Sequence, residues 1–399
     1  MPRTGISAAK PGGRLKNITD TNLLTSITII VFFVMYICAI IFLQKGFLKP
    51  QTLFNMLNAN ASLIILSCGL TLVMITGGID ISVGGVVALV SMCSAVYLDF
   101  HGGSVMGAIL ISLGIGLAFG IVQGFLVAYL EIQPFIVTLA GMFFARGMTT
   151  IVNTNPFNVQ NEEFVNLKGT RIIIPFMGSV NKRGEYVDAY IEIGVVVSLL
   201  VVAILFFVLK WTKTGRNFYA VGGNRQSALM LGINVKGTIF LSHLLCGLLA
   251  GIGGFVYFMH VGSGSASHAS GAEMNAIASS IIGGTMLTGG VGNIIGTLFG
   301  AMSLALIQNI VSSVGLDQAW WTGITIAAML CIFLVVQSVI IARRKKTNLS
   351  AENEAPAEAE AEKPAAKIAE TKAEDAKAEA AGEISEKAET DNQTEEEKV

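Results

Sequence analysis

Long apolar runs alternate with short polar connectors along most of this chain. Residues 23–43 carry no charge and reach the length of about 20 residues that a helix needs to cross a hydrocarbon core. Similar runs follow at 56–76, 82–98, 105–130, 135–152, 193–209, 237–259, 274–289, 291–314 and 319–341. The pattern predicts an all-α, polytopic membrane protein with about ten transmembrane helices. Between residues 1 and 349 the prolines are Pro2, Pro11, Pro50, Pro134, Pro156 and Pro175, and all fall outside these runs, as helix breakers should. The runs 82–98 and 274–289 are short and each touches a glycine-rich turn, so either also reads as a broken or half-inserted helix. The first run exceeds the apolar core of a signal peptide and no A-x-A site follows it, which predicts an uncleaved span.

Composition agrees with this picture. The 399 residues are 53% hydrophobic and 13% charged, against roughly 25% charged in soluble domains, which argues against a soluble enzyme. The net charge of −1 conceals an asymmetry, because residues 350–399 hold 16 of the 27 acids and 6 of the 26 bases. Three segments follow: 1–20 as an N-terminal stretch, 21–343 as the membrane domain, and 344–399 as a basic junction with a disordered Ala/Glu/Lys-rich acidic tail. Arg3, Lys10, Arg14 and Lys16 precede the first span; Lys210, Lys213, Arg216, Arg225 and Lys236 lie in or beside one acid-free central loop; Arg343 to Lys346 follow the last. Ten crossings put all three groups, and both termini, on the cytoplasmic side. Bases placed this way point to a lipid bilayer and not to nucleic acid. The opposite loop, 153–190, is balanced, with Lys168, Arg171, Lys182 and Arg183 beside Glu162, Glu163, Glu185 and Asp188.

Chemistry is sparse. The five cysteines lie in apolar spans as packing residues, without a C-x-x-C pair, and His101, His243, His260 and His268 form no H-E-x-x-H. No phosphate-binding loop of the G-x-x-x-x-G-K-S/T type occurs, so we expect no catalytic residue, metal or cofactor, and any ATPase belongs to another chain. Ser263 and Ser265 beside His260 and His268 leave open a membrane-embedded serine–histidine dyad; the other reading is a flexible outside loop. Asp80 and Glu273 stand near span ends and Arg146 is the one base inside a span. An ion-coupled carrier usually has a carboxylate in its path.

Glycine carries the architecture. Gly116, Gly120 and Gly124, and again Gly292, Gly296 and Gly300, recur four residues apart, which lets helix backbones approach closely. MITGGIDISVG at 74–84 is echoed by MLTGGVGNIIG at 286–296, either by chance or as a duplicated unit whose interface would frame a transport path. In the central loop 210–236, Asn224 reads as an N-cap, Arg225 to Leu231 as about two helical turns, and Gly232 as the left-handed residue ending them. Ala228, Leu229 and Leu231 leave apolar surface on a helix too short to stand alone, to be covered by a partner subunit or by the membrane surface.

GLTLVMITGGIDISVGGVVAL at 69–89, TGRNFYAVGGNRQSALMLGINV at 214–235 and IIGGTMLTGGVGNIIGTLFGA at 281–301 resemble the permease subunits of ribose- and galactose-type ATP-binding-cassette sugar importers, over about residues 20–341. FIVTLAGMFFARG at 135–147, HASGAEMNAIA at 268–278 and the WWT at 320–322 look most like a galactofuranose permease. The resemblance implies ATP-driven import of a monosaccharide across a prokaryotic cell membrane. It also implies three partners: a cassette ATPase subunit, a second permease chain, like or unlike, and an extracytoplasmic sugar-binding protein. The rival is a self-sufficient secondary carrier. By the same resemblance Asn224 to Gly232 form the cytoplasmic helix that transmits ATPase movement, with Gly215, Arg216, Asn217, Gly222 and Gly223 shaping the loop. Gly77, Gly78, Asp80, Ser82 and Gly84 form the signature turn, where Asp80 is expected to bond the local backbone. For the sugar path the amides Asn60, Gln123, Asn275, Gln308 and Asn309 are candidates, with Phe143, Phe144 and Trp321 as aromatic faces. For each amide an interhelical hydrogen bond is the other reading.

Overall fold

Proline and small polar caps start the helices where the apolar runs begin. The computed structural model describes residues 20–43, 47–180, 186–315, 320–321, 323–332 and 335; the N-terminal bases, Lys182, Arg183, Glu185, the basic junction and the acidic tail lie outside them. The chain runs through α1 (Asp20–Leu43), α2 (Pro50–Ile75), α3 (Val83–Phe100), α4 (Val105–Ala128) and α5 (Pro134–Val152). Pro50 and Pro134 open α2 and α5, a position where the missing N–H costs nothing. After β1 (Phe157–Asn158), α6 (Glu162–Gly169), β2 (Arg171–Val180) and β3 (Tyr186–Glu192) come α7 (Ile193–Trp211), α8 (Lys213–Gly223), α9 (Arg225–Met230) and α10 (Val235–Val261). β4 (Ser263–Gly264), α11 (Ala272–Ile282) and α12 (Ile294–Ser313) follow.

Among the described residues eight helices are long and apolar enough to span a membrane, and they match eight of the about ten runs expected. The run 82–98 is a full helix. The run 274–289 is broken, because α11 stops at Gly283 and Gly284, the latter at φ +90°, and irregular backbone continues to Asn293. Of the last expected span, 319–341, the described residues include a helical stretch at Gly323–Ile332.

α10 is the central post, packed along α4, α2 and α3. Gly116, Gly120 and Gly124 of α4 lie against the backbone of α10 from Phe240 to Gly251, and Gly296 and Gly300 of α12 lie against Gly283 and Ser279. Five of the six expected glycines therefore make close backbone approaches; Gly292 lies before α12 and faces the Ile75 side chain. α1, α4, α5 and α7 turn side chains such as Phe42, Leu110, Phe135 and Phe207 outward, an apolar surface that suits lipid. Cys68 and Cys246 are buried packing residues as expected, but Cys38 and Cys331 are exposed.

The loop after α5 holds more structure than its charge pattern promised. β2 and β3 pair antiparallel from Arg171↔Glu192 to Val180↔Tyr186, with an irregularity between Ile174 and Ser179, where Pro175 has no N–H to give. The hairpin is tied to α2: Tyr190 N–H donates to Gln51 Oε1 (2.8 Å) and Glu192 N–H to Asn58 Oδ1 (2.9 Å). α2 thus runs from a hairpin end to a glycine-turn end at Ile75.

Candidate functional site

At the glycine-turn end three segments meet. Gly77 N–H donates to Met74 O (2.9 Å) and Gly77 has φ +84°. In the echoed stretch Gly289 N–H donates to Met286 O (3.2 Å) and Gly289 has φ +83°. The likeness is thus one of backbone as well as sequence, and the two turns touch: a Cβ on Gly289 would stand 3.1 Å from Gly77 Cα. Gly290 N–H donates to Ile75 O (2.8 Å). α8 closes the joint, since a Cβ on Gly222 would lie 1.7 Å from Ile75 O. Tyr219 of α8 donates its hydroxyl to Gly292 O (2.8 Å), and burial pushes this phenol up to about 12.

α9 follows α8 directly. Asn224 Oδ1 accepts from Ser227 N–H (2.9 Å), while Gly232 N–H donates to Leu229 O (2.9 Å) and Ile233 N–H to Ala228 O (3.0 Å). With Gly232 at φ +75° this is a Schellman stop. The helix ends at Met230, one residue before the expected end, and its faces differ from expectation. Ala228 is buried beside Val127, Val137, Val235 and Ile239, whereas Leu229, Met230 and Leu231 are 60%, 82% and 78% exposed. Gly215 N–H donates to Thr212 Oγ1 (3.3 Å), capping α8; exposed Arg216 donates to Trp211 O (3.3 Å), and Asn217 is half-buried on the same helix. Beside the joint lies a cavity of about 350 Å³ that includes Gly78, Gly223, Glu131 and His243 in its wall. Glu131 pairs with Lys236 (3.0 Å), which holds its carboxyl below the usual carboxylate range.

The start of α3 gathers polar side chains inside the bundle. Asp80 Oδ1 accepts from Ser82 N–H (2.9 Å) and Ser82 Oγ (2.6 Å), the local turn bonding expected of it. Gln123 of α4 lies 3.1 Å from Ser82 Oγ, so it serves this turn. Glu273 fills the space where a side chain at Gly84 would stand. Both carboxylates, expected near span ends, are buried, because α3 and α11 begin inside the bundle.

Toward the hairpin end lies a second cavity, also about 350 Å³, lined by Asn60 and Ser62 of α2, Tyr257 of α10, Ser267 and Ser270 before α11, Asn275 of α11 and Gln308 of α12. Three of the five candidate amides converge here. Asn60 Nδ2 donates to Met56 O (2.9 Å), which leaves its carbonyl oxygen free to accept. The other candidates stand elsewhere. Asn309 Nδ2 donates to Ala305 O (2.9 Å), Phe143 and Phe144 are exposed on α5, and Trp321 stacks on Trp320 at 4.6 Å. Tyr257 and the serines escaped sequence reading; the signal available was Ser267 just before, and Ser270 inside, the motif at 268–278.

The serines and histidines do not assemble a hydrolase. Ser263 Oγ is 3.4 Å from His268 Nε2, but the other ring nitrogen meets Ser91 Oγ at 3.2 Å, so no carboxylate orients it as a triad requires. Ser265 bonds Ser267 (3.0 Å), and His260 pairs with Glu192 (2.7 Å).

Known proteins match this chain along most of its length. The family model described as branched-chain amino acid transport system / permease component matches residues 52–334. The chain is 37% identical over 317 residues to the inner membrane ABC transporter permease protein YjfF of Escherichia coli, covering 79% of this chain and 92% of that protein. It is 32% identical over 338 residues to the fructose import permease protein FruG of Bifidobacterium longum, covering 84% and 96%. It is likewise 32% identical over 294 residues to the ribose import permease protein RbsC of Escherichia coli, covering 73% and 88%. No solved structure matches. Likeness of that extent, on a bundle of membrane-spanning helices, establishes that the chain belongs to the family of ABC transporter permeases, multi-pass subunits that form a translocation path and are not themselves enzymes.

Proposed function

We propose that the chain forms the path of an ATP-driven importer for a neutral monosaccharide, and that the cavity at Asn60, Asn275 and Gln308 holds the sugar in transit. One observation carries this reading: the polar side chains of the cavity wall are amides, hydroxyls and a phenol, set among apolar residues such as Leu63, Leu66 and Val87, and none is charged. A zwitterionic amino acid, which the family description names, would leave two charges without counter-charges away from water. A sugar asks only for donors and acceptors, which amides and hydroxyls supply in both senses. The relatives named for fructose and ribose import support the same class. Within it we favour galactofuranose, on the motifs at 135–147, 268–278 and 320–322.

In this reading the glycine-turn end faces the cytoplasm of a prokaryotic cell, with both termini on that side. A cassette ATPase docks on Leu229, Met230 and Leu231, and its movement passes through α8 to both glycine turns. An extracytoplasmic sugar-binding protein delivers to the hairpin end. A second permease chain, like or unlike, covers part of the outward apolar surface. The test is uptake by the whole importer with a panel of monosaccharides and leucine as competitors. A sugar should compete and leucine should not, and Gln308→Leu should raise the KM for that sugar about tenfold, the worth of one hydrogen bond to a buried group. Competition by leucine alone would overturn the proposal.

A further inference from the structure

We infer that Arg146 is a positioning residue of the translocation path, a latch that holds residues 266–269 so that Ser267 and Ser270 stand at the polar cavity. Its transport consequence rests on the monosaccharide reading above; the latch itself rests on geometry. Arg146 projects from α5 and does not line the cavity. Its Nη1 donates to His268 O (2.5 Å) and Ala266 O (3.4 Å), and its Nη2 to Ala269 O (2.9 Å). The ion pairs among the described residues are Lys236–Glu131 and His260–Glu192, so the guanidinium spends its donors on carbonyls and not on an acid. A cation within an apolar span is costly unless it is satisfied, and a planar fork of donors can satisfy several carbonyls at once where an ammonium cannot.

The held segment does not keep its shape unaided. Ala269 has φ +50°, a left-handed conformation that residues with a Cβ rarely adopt and that persists where surroundings over-determine it. Arg146 grips Ala269 through its carbonyl, and Tyr257 accepts from its N–H at 3.3 Å. Tyr257, Ser267, Ala269 and Ser270 all belong to the cavity wall. The guanidinium therefore fixes two hydroxyls and the setting of a phenol without touching the ligand.

The experiment uses cells carrying the whole importer, with the five native cysteines replaced and Ala266→Cys as a reporter on the segment but outside the cavity wall. Labelling by a membrane-impermeant maleimide and the KM and Vmax of sugar uptake are measured with Arg146, Arg146→Lys and Arg146→Gln. Losing the fork should raise labelling about tenfold and KM about tenfold in Arg146→Gln, the size of one charge-assisted hydrogen bond, with Vmax within about twofold. Arg146→Lys, which keeps the cation and guards against a misfolded Gln variant, should give smaller rises in both. Unchanged labelling in both variants, at normal membrane levels, would overturn the latch. Raised labelling with an unchanged KM in Arg146→Gln, while Gln308→Leu raises KM, would overturn the positioning role alone. An unchanged KM in Arg146→Gln and Gln308→Leu together would instead remove the cavity as the sugar site, and the positioning role with it.

Discussion

The glycine-turn end and the hairpin end are joined by the same helices but built from different parts. At the first, Gly77, Gly222 and Gly289 bring three segments together backbone to backbone, with no side chain at those three points to absorb a displacement. At the second, side chains from α2, α10, α11 and α12 stand around open space. A backbone joint is intolerant of volume and indifferent to polarity, and a polar cavity is the reverse. That contrast fits a machine in which one end must pass movement faithfully and the other must recognise a ligand.

The sharpest way to break the comparison is volume at the joint. Gly222→Ala places a methyl 1.7 Å from Ile75 O, whereas a Cβ on the adjacent Gly223 meets nothing within 4 Å. We expect Gly222→Ala to cost about 3 kcal/mol, the upper range for overpacking, and to abolish uptake, with Gly223→Ala near wild type. Thermal midpoints in detergent check this, and equal effects at both positions would mean that the joint is loose. Next in size is α9. Ala228→Asp buries a carboxylate in an apolar cluster and should lower the folded yield by a cost of about 2–3 kcal/mol. Met230→Asp, on an 82% exposed side chain, should leave folding unchanged and reduce ATPase recovery in a pull-down; normal recovery would show that this face does not dock. Smaller still, Tyr219→Phe removes one hydrogen bond between α8 and the second turn and should lower the midpoint by the equivalent of about 1 kcal/mol, with the KM for sugar unchanged.

The same contrast explains what the sequence disclosed. Eight spans were legible because apolar length suffices to read them. The run 274–289 was legible as a short run beside a glycine-rich turn, open to being a broken helix, but hydropathy alone did not decide between a helix and irregular backbone; the break falls at Gly283 and Gly284. The cap and stop of α9 were legible since Asn224 and Gly232 act through their own backbone neighbours. Which side of α9 faces outward was not, because six residues are too few for a periodicity and Ala228 is turned inward by residues far away in sequence. The cavity was half legible: Asn60, Asn275 and Gln308 were found as amides in apolar runs, but so were Gln123 and Asn309, and only tertiary placement separates them. The α8 helix and Tyr219 gave no signal, since a glycine-rich segment of middling polarity reads as loop.

The finest distinction between the two ends is pH. His268 sits on the segment that Arg146 holds, half-buried, with Ser91 at one ring nitrogen, Ser263 at the other and the Tyr257 ring edge-on at 5.5 Å. Burial pushes its pKa below the ordinary 6.5; of the charged groups beside this segment, Arg146 is a cation that binds its carbonyls, and the Glu273 carboxylate lies by Ala269 O against Gly84. A released segment therefore binds the proton more readily than the docked one. The docked state keeps its full stability above 6.5 and loses it as the pH falls toward the lowered value. The KM for sugar should hold steady from about pH 8 to 7 and rise only about twofold as the medium is acidified below the ordinary histidine range. His268→Gln, which can still donate and accept but does not titrate, should flatten that profile without moving the thermal midpoint. A profile that keeps its acid limb in this variant would place the titrating group elsewhere.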